Sequence, residues 1–556
     1  MRYKDKSSNI TVVLTESATD FLILTEVGDA ETVAPVLINQ RHFTVTPSTN
    51  NDGVFLFQSR SDQESRVEID KTLTRLKSDD RIKDIVPALV DNSGNVRFAL
   101  PGRITVRFRN TNESAVKKYL LSIQSKIVRN FGSDLYEISI PDGVELFDFI
   151  ETLNENPAII FAEPSYYGFN DQEIDIRFAT NYPQIRFNVK TPENPDEDEN
   201  ETDSDQFLLW NLNKLQMSDA WKITTGHKDI IIAVLDGMPD TAHEAVANKF
   251  FVPMSNELSF ADDDSISSHA TQISSIIAAE SNKLLGVAPG IRLLPLIINL
   301  NSQVYAQRSA AILKAAEFAR NKKIGDLSFS RMILSCSWRT RGDIASIRTA
   351  LEEAVESNVL VVFSAGNSGT NESHFPSDYS VRPGVLEGGL IAVAATDTHD
   401  TKATYSNFSA SIDLCAPGGD GLPLDDGDIF CADLDGGYAF GAGTSLAVPH
   451  VAAVAALMLS LNSALTPNQL KQILKETADD IGSLNPDVQP FIGSGRINAL
   501  KALVAVNGIS GNESTDISLV TEKLKQYSRA LEDATGWSIS TAEVFKGEDI
   551  TTINLQ

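Results

Sequence analysis

Three short stretches of the chain carry the residue types needed to cut an acyl bond. Ala233-Val234-Leu235-Asp236-Gly237 ends an apolar run on a carboxylate. Ser268-His269-Ala270-Thr271 places an imidazole at the head of a helical pattern continued by Ile273, Ile276 and Ile277. Gly443-Thr444-Ser445-Leu446-Ala447-Val448-Pro449-His450 sets a hydroxyl between glycine and a long run of small apolar residues. Singly, each has a plainer meaning, because Asp and Ser are common helix caps. Together they form a complete set. A hydroxyl becomes a nucleophile when a base takes its proton, and the base needs a carboxylate to fix its tautomer and hold its charge. Imidazole suits that work because its unperturbed pKa, about 6.5, lies near working pH.

The surrounding pattern says how such residues would be positioned. Ile230 to Leu235, Met332 to Cys336 and Val359 to Phe363 are apolar throughout, and Ile344 to Glu356 between the last two has helical spacing. Strands buried on both faces and separated by helices predict a mostly parallel sheet with helices on both sides, an α/β fold. In such sheets chemistry gathers at the carboxyl ends of the strands. Asp236 stands at one of those ends.

From about Phe207 to Val506 the chain resembles the subtilisin-like serine proteases, or subtilases. The order Asp236, His269, Ser445 is theirs, and Gly443-Thr444-Ser445-Leu446-Ala447-Val448-Pro449-His450-Val451-Ala452-Ala453 is similar to their nucleophile signature at nearly every position. Ser364-Ala365-Gly366-Asn367-Ser368-Gly369 resembles the oxyanion-hole segment, Cys415-Ala416-Pro417-Gly418 the Ala-Pro-Gly turn, and Gly493 to Ala499 the entry to the closing helix. Gln206 to Leu212, with Ala220-Trp221 and Thr225-Gly226, resembles the start of a mature subtilase. The resemblance implies Ser445 as nucleophile, His269 as general base and acid, Asp236 as its orienting group, and Asn367 as the side-chain donor to the oxyanion. It implies that Ser335, Ser337 and Trp338 lie on the edge that pairs with an extended peptide or protein substrate. The function expected is a serine endopeptidase working through an acyl-enzyme, with no cofactor required. A catalytically inactive, peptide-binding member of the same fold is the second reading. Esterase or lipase activity ranks below both, since Ser445 lacks the Gly-x-Ser-x-Gly elbow.

Four departures from the family pattern stand out. Ala270 follows His269 where glycine is usual, Met238 follows Gly237, and Arg339 follows Trp338. Ala245 occupies a position where many subtilases carry a calcium-binding Asp, so that site does not carry over. The acidic stretches Asp262-Asp263-Asp264 and Asp425 to Asp428 offer oxygen ligands of the kind calcium takes, though solvated loops are the commoner meaning of such runs. Calcium is therefore assigned to no specific residue and the metal set is none. Cys336, Cys415 and Cys431 lack metal-ligand spacing and read as buried thiols.

Upstream, Thr191 to Gln206 is a linker by composition, with Glu193, Asp196, Glu197, Asp198, Glu199, Glu201, Asp203 and Asp205 and no large apolar side chain. Residues 1–98 show short β-type runs (Ile10 to Leu14, Phe21 to Leu24, Val54 to Phe57, Ile85 to Val90) and read as a mostly-β module of unassigned role. In 99–165 the pattern predicts a strand at Arg103–Phe108, a helix over Ser114–Ile127 and a strand at Leu135–Ile140. A helix over Val144–Leu153 follows, then a strand at Ala158–Ala162 stopped by Glu163-Pro164. This small α/β (ferredoxin-like) unit resembles the inhibitory propeptide of subtilases, which would make the chain's own N-terminal region a partner of its cleft and the chain a zymogen. The division expected is 1–98, 99–165, an acidic processing region 166–206, a peptidase domain 207–508 and an appendage 509–556.

Of 556 residues, 47 are Lys or Arg and 75 are Asp or Glu, a net charge of −28. That balance excludes nucleic acid, whose phosphates need clustered cations, and disfavours an anionic membrane surface. Three cysteines exclude a disulfide scaffold. No secretory leader or membrane-spanning run is legible, so a soluble, cytoplasmic chain is expected.

Overall fold

The computed structural model describes residues 1–25, 29–38, 43–47, 53–59, 66–109, 112–169, 175–177 and 210–507, apart from 254, 263, 264, 301, 373 and 422–426. The acidic stretch Thr191–Gln206, the appendage 509–556 and parts of both acidic loops lie outside the described residues.

Two antiparallel α/β units open the chain. The first runs β1 (Arg2–Asp5), β2 (Ile10–Thr25), α1 (Ala30–Ile38), β3 (Phe43–Pro47), β4 (Val54–Ser59), α2 (Arg66–Lys77) and β5 (Ile82–Asp91). The second runs β6 (Val96–Phe108), α3 (Glu113–Ser122), β7 (Ile127–Gly132), β8 (Leu135–Ser139), α4 (Leu146–Glu155) and β9 (Ile159–Phe169). Strands pair in the order β5-β2-β4-β3 in the first unit and β9-β6-β8-β7 in the second. Leaving β1 aside, both are therefore the same strand–helix–strand–strand–helix–strand arrangement. The ferredoxin-like topology expected for residues 99–165 is present, and the mostly-β stretch before it repeats that topology with two helices on its sheet. Phe21, Ile23, Val33, Leu37, Phe43, Phe55, Phe57 and Ile69 form its separate core.

The division drawn at 98/99 falls inside β6, which pairs with β5 at Val96 and Arg97 and with β8 and β9 further on. One strand serves both units. Two other boundaries move for local reasons. The helix expected to reach Ile127 stops at Ser122, because Gln124 takes a left-handed conformation and Ile127 already belongs to β7. The strand expected to stop at Glu163-Pro164 continues to Phe169. Pro164 faces Ile104 of β6, while on the other side of β9 the next strand is met only at Tyr167–Phe169, so no ladder bond is lost on that side.

The second body of the chain is the predicted parallel sheet. Its strands are β11 (Ile230–Asp236), β12 (Arg292–Ile297), β14 (Arg331–Cys336), β15 (Leu360–Ser364), β16 (Leu390–Thr396) and β17 (Leu414–Pro417). The order is β12-β11-β14-β15-β16-β17, and every neighbouring pair is parallel. Between them stand β13 (Ser302–Val304), α6 (Tyr305–Asn321) and α7 (Ala345–Glu356), with α5 (Ser268–Ala278) on the way from β11 to β12. After β17 come β18 (Ile429–Ala432), β19 (Tyr438–Ala442) and α8 (Thr444–Leu461). By length and composition α8 would suit a membrane, but 89% of it is buried inside the protein, against apolar residues of the sheet such as Ile232, Ile333 and Val393.

Two strand pairings join the bodies. β9 ends against β13, with Phe169 opposite Ser302 and Tyr167 opposite Val304. A short strand β10 (Asp175–Arg177) pairs antiparallel with β19, Asp175 opposite Ala442.

Candidate active site

Asp236 is the last residue of β11, at the carboxyl edge of the sheet, and is buried. Gly237 follows because the chain turns against the start of the next helix: a Cβ there would lie 2.5 Å from that of Ser267. The same turn is stapled by Ser267 N–H donating to the Met238 carbonyl at 2.7 Å. Ser267 also caps α5, its Oγ accepting from Ala270 N–H at 3.2 Å. His269 is thus held in the first turn of a capped helix beside Asp236. Its Nδ1 lies 2.7 Å from Asp236 Oδ2, and both side chains are almost wholly buried. Oδ1 of the carboxylate accepts Gly237 N–H at 2.7 Å. The two ring nitrogens of His269 make no aligned hydrogen bond, although Nδ1 lies at hydrogen-bond distance from Asp236 Oδ2.

Ser445 sits in the first turn of α8, 3% exposed. Its Oγ donates to the Ser337 carbonyl at 3.3 Å, and Ser337 Oγ donates back to the Ser445 carbonyl at 2.8 Å. Val234 of β11 pairs with Ser335 of β14, and Asp236 and Ser337 each follow two residues later on those neighbouring segments. Ser337 is therefore the link that brings the hydroxyl to the carboxylate–imidazole pair. In this arrangement Oγ is turned to Ser337 and Nε2 of His269 is buried without a hydrogen bond. Nucleophile–base contacts are commonly loose before substrate arrives and close in the reacting complex.

Asn367 is placed by Thr444, the residue before Ser445. Its Oδ1 accepts Thr444 N–H at 2.9 Å and Thr444 Oγ–H at 2.7 Å. Because a backbone N–H can only donate, the amide orientation is fixed: Oδ1 faces Thr444 and the NH2 is directed away from it. Gly366, just before it, has φ +103 and gives its N–H to Thr444 Oγ at 3.1 Å. That left-handed backbone suits glycine.

The three residues expected on the substrate edge are placed differently. Ser335 is hydrogen-bonded into the sheet on both sides, opposite Val234 and Val362, and has no edge to offer a substrate. The expectation for Ser335 is corrected: β14 is a central strand, and only the stretch beyond its end is clear of both neighbours. Ser337 instead contacts Ser445 through both its carbonyl and its hydroxyl. The Trp338 side chain is buried, edge-on to Phe363 with ring centroids 5.0 Å apart and beneath the Arg308 guanidinium, 5.3 Å from its ring centre.

Sequence reading missed Arg308. It is wholly buried on α6, donating to the carbonyls of Asn299 at 3.1 Å and Arg339 at 3.2 Å, and so ties together two segments that approach the cleft. An Arg inside an otherwise apolar helix face was the available signal. His450, part of the nucleophile signature, is also structural. Nδ1 pairs with the Leu446 carbonyl at 2.8 Å and Nε2 with the Asn211 amide at 2.9 Å, and burial pushes its pKa down to about 4.

Ala245 is buried in an apolar cluster with Val246, Ala279 and Phe430, where no calcium ligand is offered. Among the described residues no group of three or more His, Cys, Asp and Glu is arranged to hold a metal. Cys336, Cys415 and Cys431 are buried free thiols.

The profile of the subtilase family (Peptidase S8) matches residues 227–495. Subtilisin BL of Lederbergia lenta is 30% identical over 300 residues, covering 53% of this chain and 98% of its own length. The chain belongs to the subtilase family. It is accordingly a serine endopeptidase. Alkaline elastase YaB of Bacillus sp. (strain YaB) is 29% identical over 402 residues, 70% of this chain and 91% of its own. The crystal structure of fervidolysin from Fervidobacterium pennivorans, described as a keratinolytic enzyme related to subtilisin, aligns at 21% identity with a TM-score of 0.53. It covers 73% of this chain and 61% of fervidolysin, a likeness of fold. The profile contains Asp236, His269 and Asn367 within its span and Ser445 near its end, so the subtilase match and the assembled site coincide.

Proposed function

We propose that this subtilase hydrolyses peptide bonds through an acyl-enzyme on Ser445. His269 takes the Ser445 proton as Oγ attacks the scissile carbonyl, then returns it to the leaving amine. Asp236, 2.7 Å from Nδ1, holds the ring and stabilises its charged form. The carbonyl oxygen becomes an oxyanion that the Asn367 NH2 and the Ser445 backbone N–H receive. Water then repeats the sequence on the ester. These steps draw on side chains and water alone and call for no cofactor. The observation that carries the reading is the buried His269–Asp236 pair beside a Ser445 whose neighbour Thr444 orients Asn367. The extended substrate is received by the segment Ser337–Arg339, past the end of the central strand.

The N-terminal region acts on this cleft as an inhibitor made in one piece with the enzyme. β9 reaches one rim through β13, and β10 pairs with β19, which ends at Ala442, three residues before Ser445. Phe169 and Asp175 thus stand at the two rims. The rest of the seam is mixed: Phe98, Phe161 and Phe169 share one buried apolar cluster with Ala310, Leu313 and Leu351 of the second body, and polar contacts cross it as well. Glu163, almost wholly buried, accepts the backbone N–H groups of Ala345 and Ser346, each at 2.9 Å, and so caps α7 from the other body. Arg348 of α7 pairs with Asp5 and with Asp343, and Arg97 donates to the Asp343 carbonyl at 2.8 Å.

Casein digestion by the full chain beside Ser445→Ala tests the reading. Wild-type-only digestion is expected, and equal activity in both would overturn it. N-terminal sequencing of the same samples tests processing: a new terminus between residues 166 and 206 is expected in the wild type alone.

A further inference from the structure

The first N-terminal unit takes no part in the chemistry above, yet it reaches the peptidase body directly. Its opening strand β1 stands outside the unit's repeated topology. It pairs with Ile10–Val13 of β2, short of the stretch from Leu14 onward that pairs with β5. That hairpin lies against the second unit. Tyr3 is buried there, its ring 6.0 Å from that of Phe147 and its hydroxyl 3.5 Å from that of Tyr166. Asn154 of α4 donates to the Lys4 carbonyl at 3.0 Å, and Lys6 Nζ donates to the Asn156 carbonyl at 2.6 Å.

From this position the hairpin delivers a carboxylate to the other body. Asp5 is held by its own turn, accepting Ser7 N–H at 3.0 Å, Ser7 Oγ–H at 2.7 Å and Ser8 Oγ–H at 2.8 Å. Arg348 of α7 closes on that prepared carboxylate and also donates to Ser7 Oγ at 2.8 Å. Both side chains are buried, and local hydrogen bonds of this kind are what a buried ion pair needs to offset its desolvation. The first unit makes a second contact through the turn between β5 and β6. Asp91 accepts Asn95 N–H at 3.0 Å and pairs with Arg97 at 2.6 Å, and Arg97 reaches the Asp343 carbonyl. Gly342 packs against the same turn, with φ +100, and a Cβ there would come within 3.2 Å of Asn95 Cβ.

Both contacts fall on Gly342–Arg348, the start of α7. Ile344 gives that helix no side-chain cap, and Glu163 of the second unit supplies one. One helix start is thus gripped by two units at once. Linked grips reinforce each other, because when one opens the other keeps it at high local concentration.

We propose that the first unit, residues 1–91, is a latch: through Asp5 and the turn after Asp91 it grips the start of α7 and keeps the second unit closed on the peptidase body. The inference rests on the inhibitory reading of the N-terminal region and adds to it what the first unit does.

The test follows the rate at which a fluorophosphonate labels Ser445 in freshly purified full chain. Wild type is compared with Asp5→Ala, Arg348→Met, the two together, and Glu163→Ala. Asp5→Ala should label about 100-fold faster than wild type, the lower end of what breaking a buried pair does. Arg348→Met should act alike, and the double variant should be no faster than either, since both changes remove one contact. Hydrogen exchange in β4, inside the first unit, should stay slow throughout. The Arg348→Met chain keeps the first unit's own sequence, so it reads the grip even where Asp5→Ala loosens β4. Effects that multiply in the double variant would overturn the latch. So would faster labelling in Glu163→Ala beside wild-type rates in Asp5→Ala and Arg348→Met, which leaves the inhibitory reading standing. Immediate labelling of wild type, with no variant faster, would overturn the inhibitory reading as well, and absence of labelling in every chain would overturn the peptidase reading.

Discussion

The parallel sheet and its seam with the N-terminal pair of units differ in composition: the first is held by apolar burial, the second by apolar burial together with strand pairing and charge. The strands around Asp236 and Ser337 are buried on both faces, with Ile231, Ile232, Ile333, Leu334 and Val361 all wholly covered. Burial of a side chain of this kind contributes roughly 1.5–3 kcal/mol, and none of it can be lost while the fold persists. The seam between the bodies is apolar in part, with residues of β6, β9, α6 and α7 in one buried cluster, and it adds two short strand pairings, a cap and ion pairs. Buried pairs of this sort fix geometry well but hold weakly overall, because desolvation offsets most of their attraction. The proposed catalytic residues thus lie on the uniformly apolar body, and the proposed inhibitory contact runs through the mixed seam.

The largest effects should come from the sheet edge. Ser445→Ala and His269→Ala are each expected to lower kcat by about 10⁶, the loss known for the equivalent residues of subtilisin itself, and Asp236→Asn by about 10⁴. Peptide hydrolysis by purified protein checks all three, and folded protein should be recovered each time. Asn367→Leu removes one oxyanion donor and should cost about 10²–10³ in kcat, again the subtilisin scale, with KM little changed. A KM effect as large as the kcat effect would mean that Asn367 binds substrate generally.

Next come changes at the seam. Arg348→Met leaves the buried Asp5 carboxylate without its cation, while Asp343 keeps Arg382. Breaking a buried pair on one side costs about 3–5 kcal/mol, felt here in docking. Hydrogen exchange of β9 amides in a Ser445→Ala background, which keeps the chain whole, should rise sharply. Exchange in β14 should stay slow. Equal loss in both would erase the distinction between the two regions.

Two pH effects are smaller and of opposite sign. His450 is buried neutral with its pKa pushed down to about 4, so folding excludes a proton that the unfolded chain takes up near 6.5. Its contribution is full above about 6.5 and is lost as pH falls towards 4, by up to ~3 kcal/mol. The melting temperature should drop across that window, and less so in His450→Gln. Glu163 lies the other way. Burial raises it to about 7, against the N–H groups of Ala345 and Ser346, which favour the ionised form. A carboxyl raised on docking contributes fully below its ordinary value and loses that contribution as pH rises through about 7. Arg348, Asp5, Asp343, Arg97, Tyr3 and Tyr166 also belong to this seam. Exchange at β9 should therefore quicken between pH 5 and 8, and Glu163→Ala should remove most of the change.

How far the sequence carried the reading depended on where the information lay. Asp236, His269, Asn367 and Ser445 each sit at a strand end or helix start with an unmistakable local pattern, and the structure brings these elements together. Ser335 failed because a run of apolar residues cannot say whether a strand is central or at an edge; that depends on β11 and β15, far away in the chain. The repeat of one topology in both N-terminal units was hidden because α1 contains Pro35 and α2 is largely polar, so neither announces a helix. Arg308 acts through partners distant in sequence, the carbonyls of Asn299 and Arg339, and no local pattern marks that.

The most direct test of the central claim is intact-mass measurement of wild type and Ser445→Ala after exposure to a fluorophosphonate, each beside a His269→Ala chain. The account predicts one adduct, mapped to Ser445, in the wild type and essentially none in either variant. An adduct on another residue, or equal labelling when His269 is replaced, would contradict it.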